Sequence, residues 1–493
     1  MRRGGWADLY VWQLDRRSAI PLFRQVYLQI RSAIVSRTLA PGLRLPSSRG
    51  LASRLQVARA SAVSAYEQLL DEGYIVGKAR SGTFISSDLP APFEPRSAAR
   101  TKPPLGRMSS GSVRVQALEH VRSFPNESDA TPFNMGRTRL DARSVGAWRK
   151  LTHQVVRSLG AIHLGYSDPQ GLPQLRQMIC EYLRVARAVR CDPDQILVTT
   201  GTQSAIDLAI RVLLDRETEV WVEDPCYPVT YQALETAGVR IRHIPVDAHG
   251  MDVGAGKRIA PKARAAFVTA SHQFPLGVVL AMSRRLDLLA WAREAGAWII
   301  EDDYASEFRY SGRPLASLQG LDDAERTVYI GTLNKALFPG LRLGYMVVPP
   351  SLLRAFRSAR YLIDRQPSSL EQTVVAEFMR QGHFASHLRR TRLFYREQRD
   401  ALVAELARRA GDHVSVDVPD QGMHLIAFLR DHRPDTTIEA AARQRGIVVR
   451  AIRPMYEKAR PRSGLMLGFS GFSCDAIVSA ATRLAEIIEN THP

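Results

Sequence analysis

Apolar positions in the N-terminal part of the chain recur at helical spacing. In IPLFRQVYLQIRSAIVSRTL they include Val26, Ile30 and Ile34, which predicts a first helix. The breaker-rich stretch APGLRLPS ends this helix, and SRGLASRL, capped by Ser47 or Ser48, predicts a second. The segment ASAVSAYEQLLDEG predicts a third helix, and the runs YIVGK and GTFIS, on either side of ARSG, predict a hairpin. Three helices and a hairpin thus form one small predicted unit.

Beyond Asn134 helical runs alternate with short β-rich runs, namely QILVTT, EVWVED, AAFVTA, AWIIED, TVYIGT and YMVVP. This alternation predicts an α/β fold with a mostly parallel sheet flanked by helices. Ligands of such sheets bind at the carboxyl ends of the strands, so the residues that follow each run are candidate site residues.

Between these two regions the periodicity disappears. The stretch SSDLPAPFEPRSAARTKPPLGRMSSGSVRV is dominated by proline, serine, alanine and arginine, which predicts an extended, flexible linker. We therefore divide the chain into an N-terminal domain at residues 15–86, a linker at 87–130 and a large domain at 131–490.

Composition limits the kind of protein this can be. With 493 residues the chain is too long for one ordinary domain, and no apolar run reaches the ~18 residues of a membrane-spanning helix. Its 4 cysteines lack CxxC spacing, which favours a reducing cytoplasm over a disulfide framework or a zinc site. We therefore expect a cytoplasmic protein that has no membrane association and no metal.

The net charge of +18 is concentrated at the N-terminal end. Residues 1–110 contain 17 Lys and Arg against 7 Asp and Glu, a surplus of +10, so the remaining 383 residues carry +8. This asymmetry suits a nucleic-acid-binding region attached to a more neutral body. An arginine-rich chain with a solvated basic end has the same charge count, so charge alone leaves both interpretations open.

The order of the N-terminal elements describes a winged helix-turn-helix, a fold that binds double-stranded DNA. The third helix of this fold places its first residues in the major groove, so Arg59 is the candidate base reader. Gly82 lets the backbone of the wing approach the groove closely. The other candidate DNA contacts are Arg44, Ser48, Arg49, Ser61, Lys78 and Arg80.

The stretch from RLPSSRG to SGTFIS resembles the winged-helix domain of GntR-type bacterial regulators. The elements LPSSR, YEQLLDEGY and SGTFI carry the match. The recognition helix of that family usually starts Ser-Arg-Asn/Thr-Thr, whereas here it reads Ala58-Arg59-Ala60-Ser61, which leaves the base contacts open. A small helical protein-interaction module is the alternative to DNA binding.

Two segments of the large domain predict a phosphate site. After QILVTT the turn Gly201-Thr202-Gln203 opens a helix, whose free N–H groups and positive dipole end suit an anion. Arg342, seven residues after Lys335 in the segment that follows the run TVYIGT, can neutralise the same phosphate.

Four further residues follow strands and have the chemistry that pyridoxal 5′-phosphate requires. Lys335 can form a Schiff base with its aldehyde, and Asp302 can keep its pyridine nitrogen protonated. Tyr304 can bond the phenolic oxygen, and Tyr227 can stack on the ring. No single residue is specific, but the set in strand-end positions predicts this cofactor.

The large domain resembles fold-type-I aminotransferases, and the whole chain resembles the MocR group, in which a GntR-type winged helix precedes such a domain. The matching elements are LGYSDPQGLPQLR, VTTGTQSAIDLAIRVL, EDPCYP, SHQFPLG, EDDYASEFRY, GTLNKALFPGLRLGYMVVP and MLGFSGF. The resemblance implies a smaller C-terminal α+β subdomain and a homodimer in which Tyr166 reaches the cofactor phosphate of the partner subunit. It also assigns the roles given above to Lys335, Asp302, Tyr304, Tyr227, Gly201, Thr202, Gln203 and Arg342.

The chain departs from the aminotransferase pattern next to the cofactor. Asn334 precedes the lysine where a hydroxyl residue is usual, so we expect one phosphate hydrogen bond to be weaker or differently made. Phe274 replaces the asparagine that assists the phenolic oxygen, which argues against efficient transamination. His272 could compensate, or it could fill a purely structural position.

A second departure concerns the arginine that binds a substrate carboxylate in transaminases. Met466 occupies that position, in MLGF. Arg450 and Arg453 are the nearest candidates for an acidic group of an effector, although either could be a plain surface arginine.

Three hypotheses follow from the sequence. The first is a transcription regulator that binds pyridoxal phosphate on Lys335 and responds to an amine or amino acid. The second is an aminotransferase with an accessory DNA-binding head, and the third is a regulator for which pyridoxal phosphate itself is the signal.

Overall fold

The computed structural model describes residues 13–78, 81–87, 118–121, 131–312, 315–431 and 433–491. The chain divides into two compact units, one up to residue 109 and one from residue 110 onward. Arg80 and most of the predicted linker lie outside the described residues.

The N-terminal unit has the predicted three helices and hairpin. Ile30, Leu51 and Leu69, one from each helix, are 0% exposed in a common core. Of the two predicted caps, Ser47 accepts the N–H of Gly50 through Oγ at 3.1 Å and thereby fixes the start of the second helix. The elements are α1 (Leu22–Val35), α2 (Ser48–Leu55), α3 (Arg59–Asp71), β1 (Ile75–Lys78) and β2 (Gly82–Ile85).

The second unit is built on an eight-stranded sheet. Its strands are β3 (Ile196–Thr199), β4 (Glu219–Asp224), β5 (Arg240–Asp247), β6 (Gly250–Met251), β7 (Ala265–Val268), β8 (Trp298–Asp303), β9 (Thr327–Thr332) and β10 (Gly344–Val347). They lie in the order β3-β10-β9-β8-β7-β4-β5-β6. All six β-rich runs that the sequence indicates are strands.

Most neighbouring strands run parallel, which confirms the predicted sheet type. The strands β9, β8, β7, β4 and β5 form a parallel block, whereas β10 is antiparallel to both β9 and β3. Because β10 is antiparallel to both of its neighbours, β3 and β9 run parallel to each other. The carboxyl ends of β3, β4, β8 and β9 therefore lie at one edge, and β10 begins at that edge.

Helices flank the sheet, so its central strands are buried; every residue of β9 is buried. No helix among the described ranges is long and apolar enough to cross a bilayer. The α-helices of this part are α4 (Ala142–Arg157), α5 (Ala161–Leu164), α6 (Pro173–Arg187), α7 (Thr202–Leu213), α8 (Pro228–Ala237), α9 (Val253–Ile259), α10 (Met282–Ala295), α11 (Leu318–Leu321), α12 (Leu333–Ala336), α13 (Leu353–Ile363) and α14 (Ser369–Arg380).

The C-terminal part of the chain contains a smaller antiparallel sheet with helices, which is the expected α+β subdomain. Its strands β11 (Val414–Val416), β12 (His424–Leu429), β13 (Arg450–Ala451) and β14 (Gly464–Gly468) lie in the order β11-β12-β14-β13. The helices α15 (His383–Ala410), α16 (Asp435–Gln444) and α17 (Cys474–Asn490) belong to this part of the chain. Short 3₁₀ turns at Pro193–Gln195, Pro339–Leu341, Pro350–Leu352 and Arg453–Met455 complete the second unit.

Candidate cofactor site and DNA-binding surface

The predicted phosphate site is assembled at the start of α7. Gly201 precedes this helix with a φ of +119°, a backbone conformation that residues with a Cβ rarely adopt. A Cβ on Gly201 would lie 3.0 Å from Asn334 Nδ2 and 3.6 Å from Arg342 Nη2. Thr202 and Gln203 are the first two residues of the helix. Donors from three segments thus converge on the positive end of α7, an arrangement suited to a phosphate.

The hydrogen bonds of Asn334 show what an amide does at a position where a hydroxyl residue is usual. Its Oδ1 accepts the N–H of Leu343 at 2.9 Å, and its own N–H is donated to Thr332 Oγ1 at 3.2 Å. The side-chain oxygen therefore fastens the segment that carries Arg342, while the amide nitrogen faces the Gly201 turn. The amide group can make both contacts because its oxygen accepts while its nitrogen donates.

Lys335 lies in α12, directly after β9, at the same sheet edge as Gly201 and Asp302. It is half-buried between buried neighbours. Burial, together with smaller contributions from the charges of Lys335 and Arg450, lowers the pKa of His424 to about 4. Lys335 and Arg450 are thus near enough to His424, the first residue of β12, for their positive charges to lower its pKa.

Asp302 and Tyr304 follow the core of β8 and present unsatisfied polar atoms. Asp302 Oδ1 and the Tyr304 hydroxyl are buried, and neither has a hydrogen-bond partner within the described ranges. Burial, together with the charges of Asp303 and Glu223, raises the pKa of Asp302 to about 7. Since buried polar groups nearly always have partners, these two atoms are candidates for contact with a bound ligand. A protonated pyridine nitrogen and a phenolic oxygen are suitable partners, so the residues present fit pyridoxal phosphate.

Aromatic side chains connect these positions. Phe274 contacts Tyr227 edge-on at a ring-centroid distance of 5.2 Å, and it lies 6.3 Å from Tyr304 and 5.8 Å from His424. Phe274 thus occupies the space between the predicted stacking residue and the predicted phenol. It cannot donate a hydrogen bond, which leaves Tyr304 without the assistance of an asparagine.

His272 is buried, 4.8 Å from the ring of His424 and 6.0 Å from the ring of Tyr304. Neither of its ring nitrogens has a partner among the residues described. A Cβ on Gly422 would lie 2.2 Å from its Nε2, so backbone closes over one side of the ring. Burial lowers the pKa of His272 well below its ordinary value, which favours a neutral ring.

The two arginines proposed for an effector are placed differently. Arg450 is paired with Met466 across β13 and β14, and Met466 is paired with Ile426. Residues opposite each other in a sheet share a face, and both apolar partners pack with Phe274. Arg450 therefore emerges on the face that points toward the cofactor residues. Arg453 is exposed, and its N–H is donated to Asp435 Oδ2 at 2.9 Å.

The wing of the N-terminal unit gathers several of the predicted DNA contacts. Arg44 pairs with Phe84 through the backbone, and Lys78 Nζ lies 5.2 Å from the centre of the Phe84 ring. Gly82 has a φ of +104°, and a Cβ there would lie 3.2 Å from Arg44 Nε. Two exposed cations and an open glycine backbone therefore occupy one small surface.

The remaining predicted DNA contacts lie at helix starts. Arg59 is exposed as the first residue of α3, and Ser61 is half-buried two positions later. Ser48 begins α2, and Arg49 follows it as an exposed residue. Helix starts and a basic wing are the parts that contact phosphates and base edges in this type of fold.

Comparison with known proteins decides the family. The family described as "Bacterial regulatory proteins, gntR family" matches residues 22–85, and "Aminotransferase class I and II" matches residues 129–465. The probable rhizopine catabolism regulatory protein MocR of Rhizobium meliloti is 36% identical, over 93% of this chain and 92% of its own. The chain belongs to the MocR-type regulators of the GntR family.

Two other similarities agree with the MocR-type assignment. The HTH-type pyridoxine biosynthesis transcriptional regulator PdxR of Corynebacterium glutamicum is 30% identical over 94% of this chain and 95% of its own. A crystal structure of kynurenine aminotransferase from Pyrococcus horikoshii, in complex with PMP, is 25% identical with a TM-score of 0.69. That similarity covers 76% of the MocR-type chain and 96% of the aminotransferase. The predicted family and the predicted fold are both confirmed.

Several supporting residues of the MocR-type site were not predicted from sequence. Glu223 accepts Thr269 Oγ1–H at 2.5 Å and the Thr269 N–H at 3.1 Å, and burial raises its pKa to about 7. Asp224 accepts three backbone N–H groups, from residues 457–459, at 2.7–2.9 Å. These carboxylates stand in the run EVWVED, but their partners lie 46 and more than 200 positions away. No local pattern marks such pairs.

Asp303, the neighbour of Asp302, is also a supporting residue. It accepts from Arg187 Nε at 2.8 Å and from the Tyr329 hydroxyl at 2.6 Å. The two adjacent aspartates therefore differ: Asp303 Oδ2 is paired with an arginine and a tyrosine, although its Oδ1 has no partner among the described residues, whereas Asp302 has no ion-pair partner there. The consecutive pair in EDDY gave no indication of which was which.

Tyr166 is 82% exposed on its own protomer, and the Arg365 guanidinium lies 4.3 Å from the centre of its ring. The Gln366 side chain accepts the N–H of Ser167 at 2.5 Å and fixes this segment. An exposed, positioned tyrosine is compatible with a role toward a second subunit.

Proposed function

We propose that this chain is a transcription regulator that binds DNA through its N-terminal unit and pyridoxal 5′-phosphate through Lys335. Cofactor or amine binding then changes its affinity for DNA. The observation that carries the proposal is the pair of buried, unpartnered atoms, Asp302 Oδ1 and the Tyr304 hydroxyl, at the sheet edge where Lys335 lies. These atoms belong to a chain whose other unit is a GntR-type domain.

When bound, pyridoxal phosphate supplies an electrophilic aldehyde on an electron-withdrawing ring. Lys335 would provide the amine that binds the aldehyde. Asp302 would keep a proton on the pyridine nitrogen, and Tyr304 would donate its hydroxyl hydrogen toward the phenolic oxygen. Tyr227 would cover the ring. The phosphate would be held by the N–H groups of the Gly201–Gln203 turn, the Asn334 amide and the Arg342 guanidinium.

Two residues favour sensing over catalysis. Phe274 removes the hydrogen bond that assists the phenolic oxygen, and Met466, which is 0% exposed, removes the usual carboxylate-binding arginine. The Lys335 amine would hold the cofactor in the absence of effector, and its displacement by an amine effector would be the proposed signal. Arg450, on the same face of the small sheet as Met466, is positioned to bind an acidic group of such an effector.

A homodimer is part of the proposal. Tyr166 is exposed on its own protomer, and its proposed role is to reach the cofactor phosphate of the partner subunit. Loss of the Tyr166 side chain is therefore expected to weaken cofactor binding only in samples that contain dimers. Analytical ultracentrifugation of the same samples measures whether dimers are present.

An aminotransferase with an accessory DNA-binding head is the second candidate. The presence of lysine, aspartate, tyrosine and arginine at the expected strand ends favours it. Sustained keto-acid production from an amino donor would support this candidate, whereas a single turnover that stops is the expectation for a regulator.

The cofactor lysine is tested by chemical trapping. Full-length protein is incubated with pyridoxal phosphate, reduced with borohydride and digested, and the modified peptide is identified by mass spectrometry. The modification is expected on Lys335 and absent from the Lys335→Ala variant. Lys257→Ala, which changes an exposed lysine on α9, is the matched control and should label like the wild type. Labelling of any other lysine as the main site would refute the assignment.

A further inference from the structure

A buried arginine lies next to the phosphate site without enough partners. Arg360, on α13, has a side chain that is 0% exposed. Its Nε and Nη2 atoms have no hydrogen-bond partner among the described residues. Its Nη1 lies 3.0 Å from Asp364 Oδ1 and 3.4 Å from Ser204 Oγ. Because buried donors are nearly always satisfied, two unpartnered N–H positions on one guanidinium require an explanation.

The position of Arg360 supplies that explanation. Ser204 is the third residue of α7, so the guanidinium reaches the first turn of the helix that begins after Gly201. The N-terminal end of a helix carries a partial positive charge. A buried guanidinium beside this end is repelled by it unless an anion lies close to both.

Asp364 does not fully provide that anion. It is the one acidic group paired with Arg360 in the described part of the chain, it contacts Nη1 alone, and its side chain is 37% exposed. Burial lowers the pKa of Arg360 in spite of this carboxylate, so the guanidinium is under-compensated. An additional negative charge at the start of α7 would relieve both the helix end and the arginine.

We propose that Arg360 is a second basic residue of the phosphate site, acting from α13 across Ser204. This inference rests on the proposed cofactor. Arg342 contacts the turn from the exposed side, and Arg360 stabilises the phosphate from the buried side, as a positioning residue. The consequence is specificity: the site selects the phosphorylated form of pyridoxal over pyridoxal itself, because the unphosphorylated form leaves Arg360 uncompensated.

The test compares two aldehydes that differ only in the phosphate. Full-length apoprotein is titrated with pyridoxal phosphate and with pyridoxal, and the visible absorbance of the bound aldehyde gives each Kd. Arg360→Met, which keeps the aliphatic volume, is expected to weaken pyridoxal phosphate about 10- to 100-fold. Its affinity for pyridoxal should change less than about twofold, since that ligand has no phosphate. Arg360→Lys should recover part of the preference.

Arg357→Met is the matched control, because Arg357 precedes Arg360 by one turn of α13 but has a side chain that is 49% exposed. It should leave both affinities unchanged. Equal losses for the two aldehydes in Arg360→Met, without recovery in Arg360→Lys, would show that the arginine only supports the fold and would overturn the proposal. If Arg360→Met does not fold, Arg360→Lys provides the test. Its Kd for pyridoxal divided by its Kd for pyridoxal phosphate must be lower than the same ratio in the wild type. If the wild type binds neither aldehyde, the proposed cofactor fails first.

Discussion

Asp302 allows the site to be tested through stability as well as binding. Its carboxyl has a pKa of about 7 in the folded apoprotein, against an ordinary value of 3.8. The folded state therefore binds this proton more tightly than the unfolded state does. The stabilisation by the protonated carboxyl is complete below about pH 4 and is lost as the pH rises to about 7. The difference corresponds to a loss of about 4 kcal/mol.

Asp302→Asn removes this titration and keeps the size of the side chain. We expect the apoprotein of this variant to be more stable than the wild type at about pH 8, by up to about 4 kcal/mol in the free energy of unfolding. The advantage should shrink as the pH is lowered toward about 5. The same variant should bind pyridoxal phosphate more weakly, because a neutral amide no longer holds the proton on the pyridine nitrogen.

Urea denaturation of the apoproteins at about pH 5 and about pH 8, followed by circular dichroism, measures this effect. Asp303→Asn is the control, because Asp303 is paired with Arg187 and Tyr329. Breaking such a buried pair costs about 3–5 kcal/mol, so this variant should be destabilised at both pH values. An Asp302→Asn apoprotein that is less stable than the wild type at the higher pH would refute the argument that Asp302 awaits a ligand.

Three further predictions concern other parts of the chain. Gly201→Ala should weaken pyridoxal phosphate binding and destabilise the apoprotein by about 1–3 kcal/mol, because the φ of +119° disfavours alanine; both are read by titration and denaturation. Phe274→Asn should increase the rate of a transamination half-reaction, measured in single turnovers by absorbance, and an unchanged rate would contradict the role given to this residue. Arg59→Ala should weaken operator binding by about 1–3 kcal/mol and reduce discrimination against a scrambled duplex, whereas Lys78→Ala should weaken both duplexes alike and lower the salt slope by about 1, as measured by fluorescence anisotropy.

The strand-end residues were predictable because the fold itself places them. Once the β-rich runs were taken as parallel strands, Gly201, Asp302 and Lys335 had to meet at one edge of the sheet. The antiparallel β10 was not predictable from its composition, since a short buried strand has the same apolar pattern in either direction. Its reversal is nevertheless what brings Arg342, two residues before it, back to the Gly201 turn.

Residues whose roles depend on partners far away in the chain could not be predicted from the sequence. Arg360 stands among several arginines in LLRAFRSARYL, and nothing local separates it from the exposed Arg357. The sequence indicated that Asn334 would make a weaker or different phosphate contact, but not that its side chain bridges two segments while it faces the turn. Such roles depend on packing between elements far apart in the chain.

The central claim is that a cofactor-binding unit controls specific DNA binding. Fluorescence anisotropy of the full-length protein on the DNA upstream of its own gene tests it most directly. The titration is run with and without pyridoxal phosphate, at two salt concentrations and against a scrambled duplex. We expect tighter binding to the upstream DNA than to the scrambled duplex, and a Kd that changes when the cofactor is added. Equal affinity for both duplexes, falling equally with salt and unchanged by pyridoxal phosphate, would contradict the account.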